Sequence, residues 1–298
     1  MAKQKVSGKY KQRKGAPMPK GRLLAIGGHE NKGNGEALKD EQSRNIDFES
    51  EEILKFFISE IKGDNPLVAV IPTASSIPEE MGREYIKVFK NLGIKRVEVL
   101  DIRSRDDAND PSHYDVIKRA AAIFFTGGDQ LRLTSILGGT PLLQLMKERF
   151  TYDDILIAGT SAGATALSTP MIYEVMTHGG FLKGDVRITT GLEFLKNVAV
   201  DTHFIERGRI VRMSQCIVTN PGCIGMGLEE DTAAYITEGK EVEVVGSGLM
   251  TIVDGMDMTC TDIYKIGTGE PFSVRGLRVH LLSGGEKYTI PTYDQLHL

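Results

Sequence analysis

A serine hydroxyl becomes a working nucleophile only when a base removes its proton and a third group orients that base. Gly159-Thr160-Ser161-Ala162-Gly163 offers such a serine. It follows the apolar strand Ile155–Ala158 and leads into the helix-forming run Ala162–Leu167, the strand–turn–helix setting of a G-x-S-x-G nucleophile elbow. The turn exposes the hydroxyl, and N–H groups at the helix start are free to face a developing oxyanion.

Six histidines are candidates for the base: His29, His113, His178, His203, His280 and His297. His29 follows Gly27-Gly28 in a polar loop, His113 lies in a polar helix start, and His178 adjoins two glycines. His280 alternates inside a late strand, and His297 is the penultimate residue. His203 differs: it closes the short strand 198–203, and the carboxyl ends of strands are where open α/β sheets collect their chemistry. The acid stays open on spacing. The order Ser, acid, His of an α/β-hydrolase nominates Glu193 or Asp201, whereas Ser, His, acid nominates the run Glu229-Glu230-Asp231 after Gly227.

The elements that must position these groups alternate between strand and helix. Leu23–Gly28, Leu67–Ile71, Val97–Leu100, Ala122–Phe125 and the strand before Ser161 are short and apolar. Between them run amphipathic helices. One is capped by Ser50, carries Ile53, Leu54, Phe57, Ile58 and Ile61 on one face, and stops at Gly63. A second starts at Ser76 and Pro78, buries Met81, Tyr85, Val88, Phe89 and Leu92, and ends at Gly93. A third spans 114–121. This pattern predicts an α/β fold with a mainly parallel central sheet and helices on both faces. Further on, 197–201 reads as a strand and 205–215 as a helix. Additional C-terminal strands follow at 242–245, 249–253 and 279–282.

The formal charge of −4 conceals an asymmetry. Residues 1–22 hold eight Lys/Arg and no acid, which leaves 28 basic against 40 acidic residues in the rest. We read 1–21 as a flexible, solvated basic segment and 22–298 as one domain, because no nucleic-acid-binding motif follows the basic head. Neither G-x-x-x-x-G-K-[ST] nor G-x-G-x-x-G occurs, which argues against a phosphate loop at Gly27-Gly28. Cys216, Cys223 and Cys260 lack metal-ligand spacing and suit reduced thiols, and no cofactor or metal is called for. No apolar run reaches the roughly 18–20 residues of a membrane span. The N-terminus has no apolar core of a secretory signal, so the expectation is a cytoplasmic protein.

Four motifs occur in order: Gly127-Gly128-Asp129-Gln130; the serine turn; Asp201-Thr202-His203-Phe204 with Arg207, Arg209 and Arg212; and Gly227-Leu228-Glu229-Glu230-Asp231-Thr232. Together they resemble the serine-peptidase family that holds cyanophycinase and aspartyl dipeptidase, across roughly 22–290. The departures are Thr202, where the family often has Gln, and Asp231, where it often has Asn. The resemblance implies a fold like class I glutamine amidotransferases, a homodimer, and a triad of Ser161, His203 and Glu230. The implied reaction is exo-hydrolysis of cyanophycin, a poly-aspartate with arginine on each β-carboxyl, to β-aspartyl-arginine. With that reading, N–H groups of Gly128 or Asp129 and of Ala162 would form the oxyanion hole. Asp201 would hold the substrate guanidinium, since two-residue alternation puts it on the face of His203. Gln130, Arg207 and Arg212 would hold carboxylates, although the three arginines do not share one helical face. The alternatives are an aspartyl dipeptidase acting on α-Asp-X dipeptides and a silent binding module on the same fold; an intact Ser, His and acid argue against silence.

Overall fold

Leu67–Ile71 and Ala122–Phe125 are buried at every position, because both of their faces are covered. The structure, a computed structural model, describes residues 17–28, 32, 49, 51–176 and 179–291. The expected features at His29, Ser50, His178 and His297, and the basic residues through Lys14, lie outside the described residues. Strands β1 (Arg22–Ile26), β2 (Leu67–Ile71), β3 (Arg96–Val99), β4 (Ala122–Phe125) and β5 (Leu156–Thr160) pair in parallel in the order β1-β5-β4-β2-β3. The connecting helices are α1 (Glu52–Ser59), α2 (Pro78–Asn91), α3 (Pro111–Arg119), α4 (Gln130–Leu137) and α5 (Pro141–Tyr152).

Each β1 residue alternates faces. Leu24 and Ile26 join Val68, Val70 and Phe124 against α1 and α2, while Leu23 and Ala25 join Ala69, Ile123 and Phe125 on the opposite face with α3 and α5. Helices on both faces and parallel strands are therefore as expected for this half. Lys20 and Gly21 already donate backbone N–H bonds to Thr151 (3.2 Å) and Phe150 (2.9 Å), so attachment to the body starts before residue 22.

After β5 comes the one-turn helix α6 (Ala162–Ala166), then β6 (Ser168–Thr169), the hairpin β7 (Met171–Val175) and β8 (Val186–Thr189), and β9 (Leu195–Lys196). Next are β10 (Val198–Thr202), α7 (Ile210–Thr219), β11 (Ile224–Leu228), β12 (Thr232–Thr237), β13 (Glu241–Gly246) and β14 (Met250–Asp254). The chain closes with the pair β15 (Cys260–Thr261) and β16 (Val274–Arg275), β17 (Arg278–Leu282) and β18 (Lys287–Thr289).

Here the structure departs from a mainly parallel sheet. The central sheet is mixed: β12, β13 and β18 extend it in antiparallel fashion beyond β1. A second sheet, ordered β17-β14-β11-β10-β6-β9, takes the histidine-bearing strand. Val198, Val200, Met226 and Leu228 share a core with α6 and the first sheet, while Ala199 and Val253 on the outer face pack under α7 through Met213 and Ile217. The helix expected at 205–215 begins only at Ile210. Residues 203–209 first form turns, with Arg207 N–H donating to His203 O (3.1 Å) and Arg209 N–H to Phe204 O (2.9 Å). Among the described residues no helix is long and apolar enough to cross a membrane.

The first core has an aromatic centre. Phe124 is fully buried, with ring centroids of Tyr85, Phe89 and Phe57 at 4.8, 5.3 and 5.4 Å. Phe124→Ala is expected to cost about 3–5 kcal/mol, because the gap is ringed by side chains already in contact and cannot collapse. Denaturant unfolding should show a lower midpoint at unchanged slope; a loss below ~1 kcal/mol would mean the cluster repacks.

Candidate active site

Strand β5 ends at Thr160, and the backbone reverses at Ser161, which has φ 48° and ψ −113°, before α6 begins. A non-glycine residue held there is strained by about 1–3 kcal/mol, so its surroundings must over-determine it. Part of that hold is the Ser161 N–H, which donates to the Ile26 carbonyl of neighbouring β1 at 3.0 Å. The flanking glycines have a steric cause: a Cβ on Gly159 would run into the Gly163 backbone, and one on Gly163 into the Phe125 carbonyl. The serine hydroxyl therefore stands proud of the sheet, where Oγ lies 3.1 Å from His203 Nε2.

His203 directly follows β10, Glu230 lies two residues beyond β11, and those parallel strands end side by side with Thr202 opposite Leu228. His203 is 5 % exposed and adopts φ 51°, which turns its ring out of the strand's alternation. Its Nδ1 contacts Glu230 Oε1. Of the acids that spacing left open, the structure thus brings Glu230 to the imidazole. Glu193 instead binds Lys147 at 2.8 Å, and that ammonium holds its carboxyl below the usual range.

The three consecutive acids have three separate destinations. Glu229 Oε2 accepts from the N–H groups of Ile205 and Glu206 (3.0 Å for the latter), and its Oε1 accepts from Glu230 N–H at 3.0 Å. Asp231, at φ 46° and 7 % exposed, accepts from the Ser247 hydroxyl at 2.7 Å. Its Oδ1 is buried with no hydrogen-bond partner among the described residues. Burial pushes the Asp231 carboxyl above the usual range; the Ser247 hydrogen bonds oppose this, and the nearby Glu230 charge adds to it.

Several expected contacts are redirected. Asp129 N–H is spent on the Ala74 carbonyl at 2.9 Å, which removes it as an oxyanion donor, and its carboxylate caps α4 through Leu131 and Arg132 N–H. No hydrogen bond among the described residues consumes the N–H of Gly128, and Ala162 opens α6, where first-turn N–H groups have no partner within the helix. The Gln130 amide donates to the Ile172 and Tyr173 carbonyls (3.1 and 3.3 Å) and so ties α4 to β7. Asp201 is not available to a ligand: at 1 % exposure its carboxylate accepts from Arg209 (2.9 Å) and from both Nε (2.6 Å) and Nη2 of Arg212. The expected common face of Asp201 and His203 fails because alternation ends with β10 at Thr202. Arg212, expected to meet substrate, is committed to Asp201, whereas Arg207 is exposed in the turn before α7.

A cleft of about 330 Å³ opens beside Ser161, lined by Lys32, Ser75, Ser76, Ile77 and Met81 over the backbone of Gly28, Gly127 and Gly128. Among the described residues Lys32 is its one lining cation; it sits 4.5 Å from the centroid of the Tyr85 ring and 3.3 Å from Glu84. Sequence reasoning missed Lys32 and the role of Gly28, and it placed Glu229 only among the candidate acids. Gly28 has φ 52°, and a Cβ there would overlap the Glu230 carboxylate. Its signal was present in the glycine pair at the end of β1, but that pair was weighed only as a phosphate loop.

The model of peptidase family S51 matches residues 42–245. Curated cyanophycinases are similar over nearly the whole chain. That of Geminocystis herdmanii is 33% identical over 274 residues, covering 92% of this chain and 95% of the relative. That of Synechococcus elongatus is 34% identical over 278 residues, covering 93% and 82%. Among solved structures, a peptidase from an acI-B1 actinobacterium has a TM-score of 0.65 at 24% identity and covers 92% of this chain and 98% of its own, which shows a shared fold.

Asp231 makes a pH-dependent prediction. A buried acid with a raised pKa supports the fold while protonated, and that support is lost as pH rises through its folded value. Asp231→Asn mimics the protonated form and also suits a left-handed backbone. It should melt higher than the native protein at pH 8, and the gain should shrink as pH falls toward roughly 4. Scanning calorimetry across that range checks it; a gain that is constant with pH would contradict the assignment.

Proposed function

The chain belongs to peptidase family S51, and from that premise we propose that this serine-type peptidase hydrolyses cyanophycin to β-aspartyl-arginine. The observation that carries the reading is the relay from Ser161 Oγ to His203 Nε2, 3.1 Å apart, and from Nδ1 to Glu230. A serine turn at a strand's carboxyl end, on the parallel half of a mixed sheet, also supports a fold of the class I glutamine-amidotransferase kind.

In this reading Ser161 Oγ attacks the main-chain carbonyl of an aspartyl unit while His203 Nε2 takes the hydroxyl proton. Glu230 holds the imidazole in one tautomer and stabilises its cation. Negative charge on the former carbonyl oxygen falls to the N–H groups of Gly128 and Ala162; one such donor is worth about 3–4 kcal/mol. Collapse breaks the peptide bond, and His203 returns the proton to the departing amine of the terminal β-aspartyl-arginine. Water then attacks the acyl-enzyme by the same route, releasing the shortened chain and restoring Ser161.

The substrate's carboxylates find complementary charge on both sides. Arg209 and Arg212 share the single carboxylate of Asp201, and Arg207 is exposed in the turn before them. In the cleft on the other side, Lys32 is the only charged lining group among the described residues, and it also pairs with Glu84. We further read the enzyme as a cytoplasmic homodimer, which light scattering of the purified chain tests by mass.

Incubation with insoluble cyanophycin should release β-aspartyl-arginine, identified by mass spectrometry. Ser161→Ala should retain the native melting temperature and lose more than about a thousandfold in rate. Rapid hydrolysis of α-Asp-Leu with no attack on the polymer would reassign the protein as an aspartyl dipeptidase. Turnover of neither would favour a silent binding module.

A further inference from the structure

We propose that Glu229, the first acid of the Glu229-Glu230-Asp231 run, is a positioning residue that clamps the histidine-bearing turn to the glutamate-bearing turn. This rests on the reading of Ser161, His203 and Glu230 as the reacting relay. Strands β10 and β11 leave the second sheet side by side, and beyond their ends Phe204 N–H still reaches the Leu228 carbonyl at 3.3 Å. Past that point no ladder bond joins the two turns to each other, although Glu229 N–H still reaches the Leu249 carbonyl at 3.2 Å. Glu229 supplies the link: one carboxylate oxygen accepts from Ile205 and Glu206 N–H just after His203, and the other accepts from the N–H of Glu230 itself.

The load on this clamp is specific. His203 is held at φ 51°, a conformation a non-glycine residue keeps only when its surroundings impose it. The N–H groups bound by Glu229 belong to Ile205 and Glu206, the second and third residues after His203. Charge-assisted bonds to backbone N–H are among the stronger ones a protein makes, so one side chain can hold both turns. The motif needs two glutamates because one contacts the imidazole while the other sets where that imidazole and its partner stand. A side chain one methylene shorter would not bridge from β11 to both turns.

The test uses the full chain and reads Ser161 directly with a fluorophosphonate. In that reaction Oγ bonds to phosphorus, fluoride leaves, and His203 takes the proton. Glu229→Ala should slow labelling roughly ten- to a hundredfold, the cost of displacing a reacting group by about an ångström. On a soluble β-aspartyl-arginine dimer, kcat should fall in parallel while KM changes less than about threefold, because no binding group is removed. Glu229→Gln should recover only part of the loss, since its amide oxygen still accepts from Ile205 and Glu206 while its NH2 group cannot accept from Glu230 N–H. Rates are compared per folded molecule, well below each variant's melting temperature; should Glu229→Ala not fold, Glu229→Gln and Glu229→Asp decide, with Asp expected to be the slower. Native labelling in Glu229→Ala, or Gln no better than Ala or Asp, overturns the clamp and leaves the relay standing. No labelling of native Ser161, or full turnover by Ser161→Ala, takes down the relay and the clamp together.

Discussion

The contact between Ser161 Oγ and His203 Nε2 joins side chains carried by different sheets, and everything else at the site depends on how those sheets are held. What holds them is an apolar seam: Ala162, Ala164 and Leu167 beyond the serine turn pack in one cluster with Val198, Val200, Met226 and Leu228. Close-packed interiors transmit small displacements instead of absorbing them, so the seam fixes the serine–histidine spacing. The parallel pairing of β10 and β11 then delivers histidine and glutamate at the same level.

Strained backbone marks the same place. Ser161, His203 and Asp231 all have positive φ, and all three lie just past the carboxyl end of a strand. Each reversal aims a side chain where regular strand geometry would not. The opposing stabilisation is local and visible: Ser161 N–H on Ile26, the Glu229 carboxylate after His203, and Ser247 on Asp231.

The charged groups around the relay divide into structural and available. Asp201 with Arg209 and Arg212 is a largely buried cluster whose carboxylate is fully engaged, and breaking such a group leaves an uncompensated charge inside. Arg207 is exposed, whereas Lys32 lines the cleft beside the serine turn and is paired with Glu84.

Local pattern settled a good deal of this in advance. The strands Leu67–Ile71 and Ala122–Phe125, the helix ending at Gly93 and the glycine-flanked Ser161 follow from periodicity and sterics within a few residues of each position. His203 stood out for the same reason, as a polar residue closing an apolar run. Long-range contacts decided the rest. Nothing local says that 198–202 would leave the first sheet for a second one, because a short apolar strand looks alike in either. Spacing could not choose among Glu193, Asp201 and the acid run, since the choice turns on which carboxylate the sheet register sets beside the imidazole. Asp201 shows the limit most sharply. Two residues from His203 in the chain, it was expected beside it in space, but one residue in a left-handed conformation ended the alternation, and Arg209 and Arg212 of the same chain took its carboxylate.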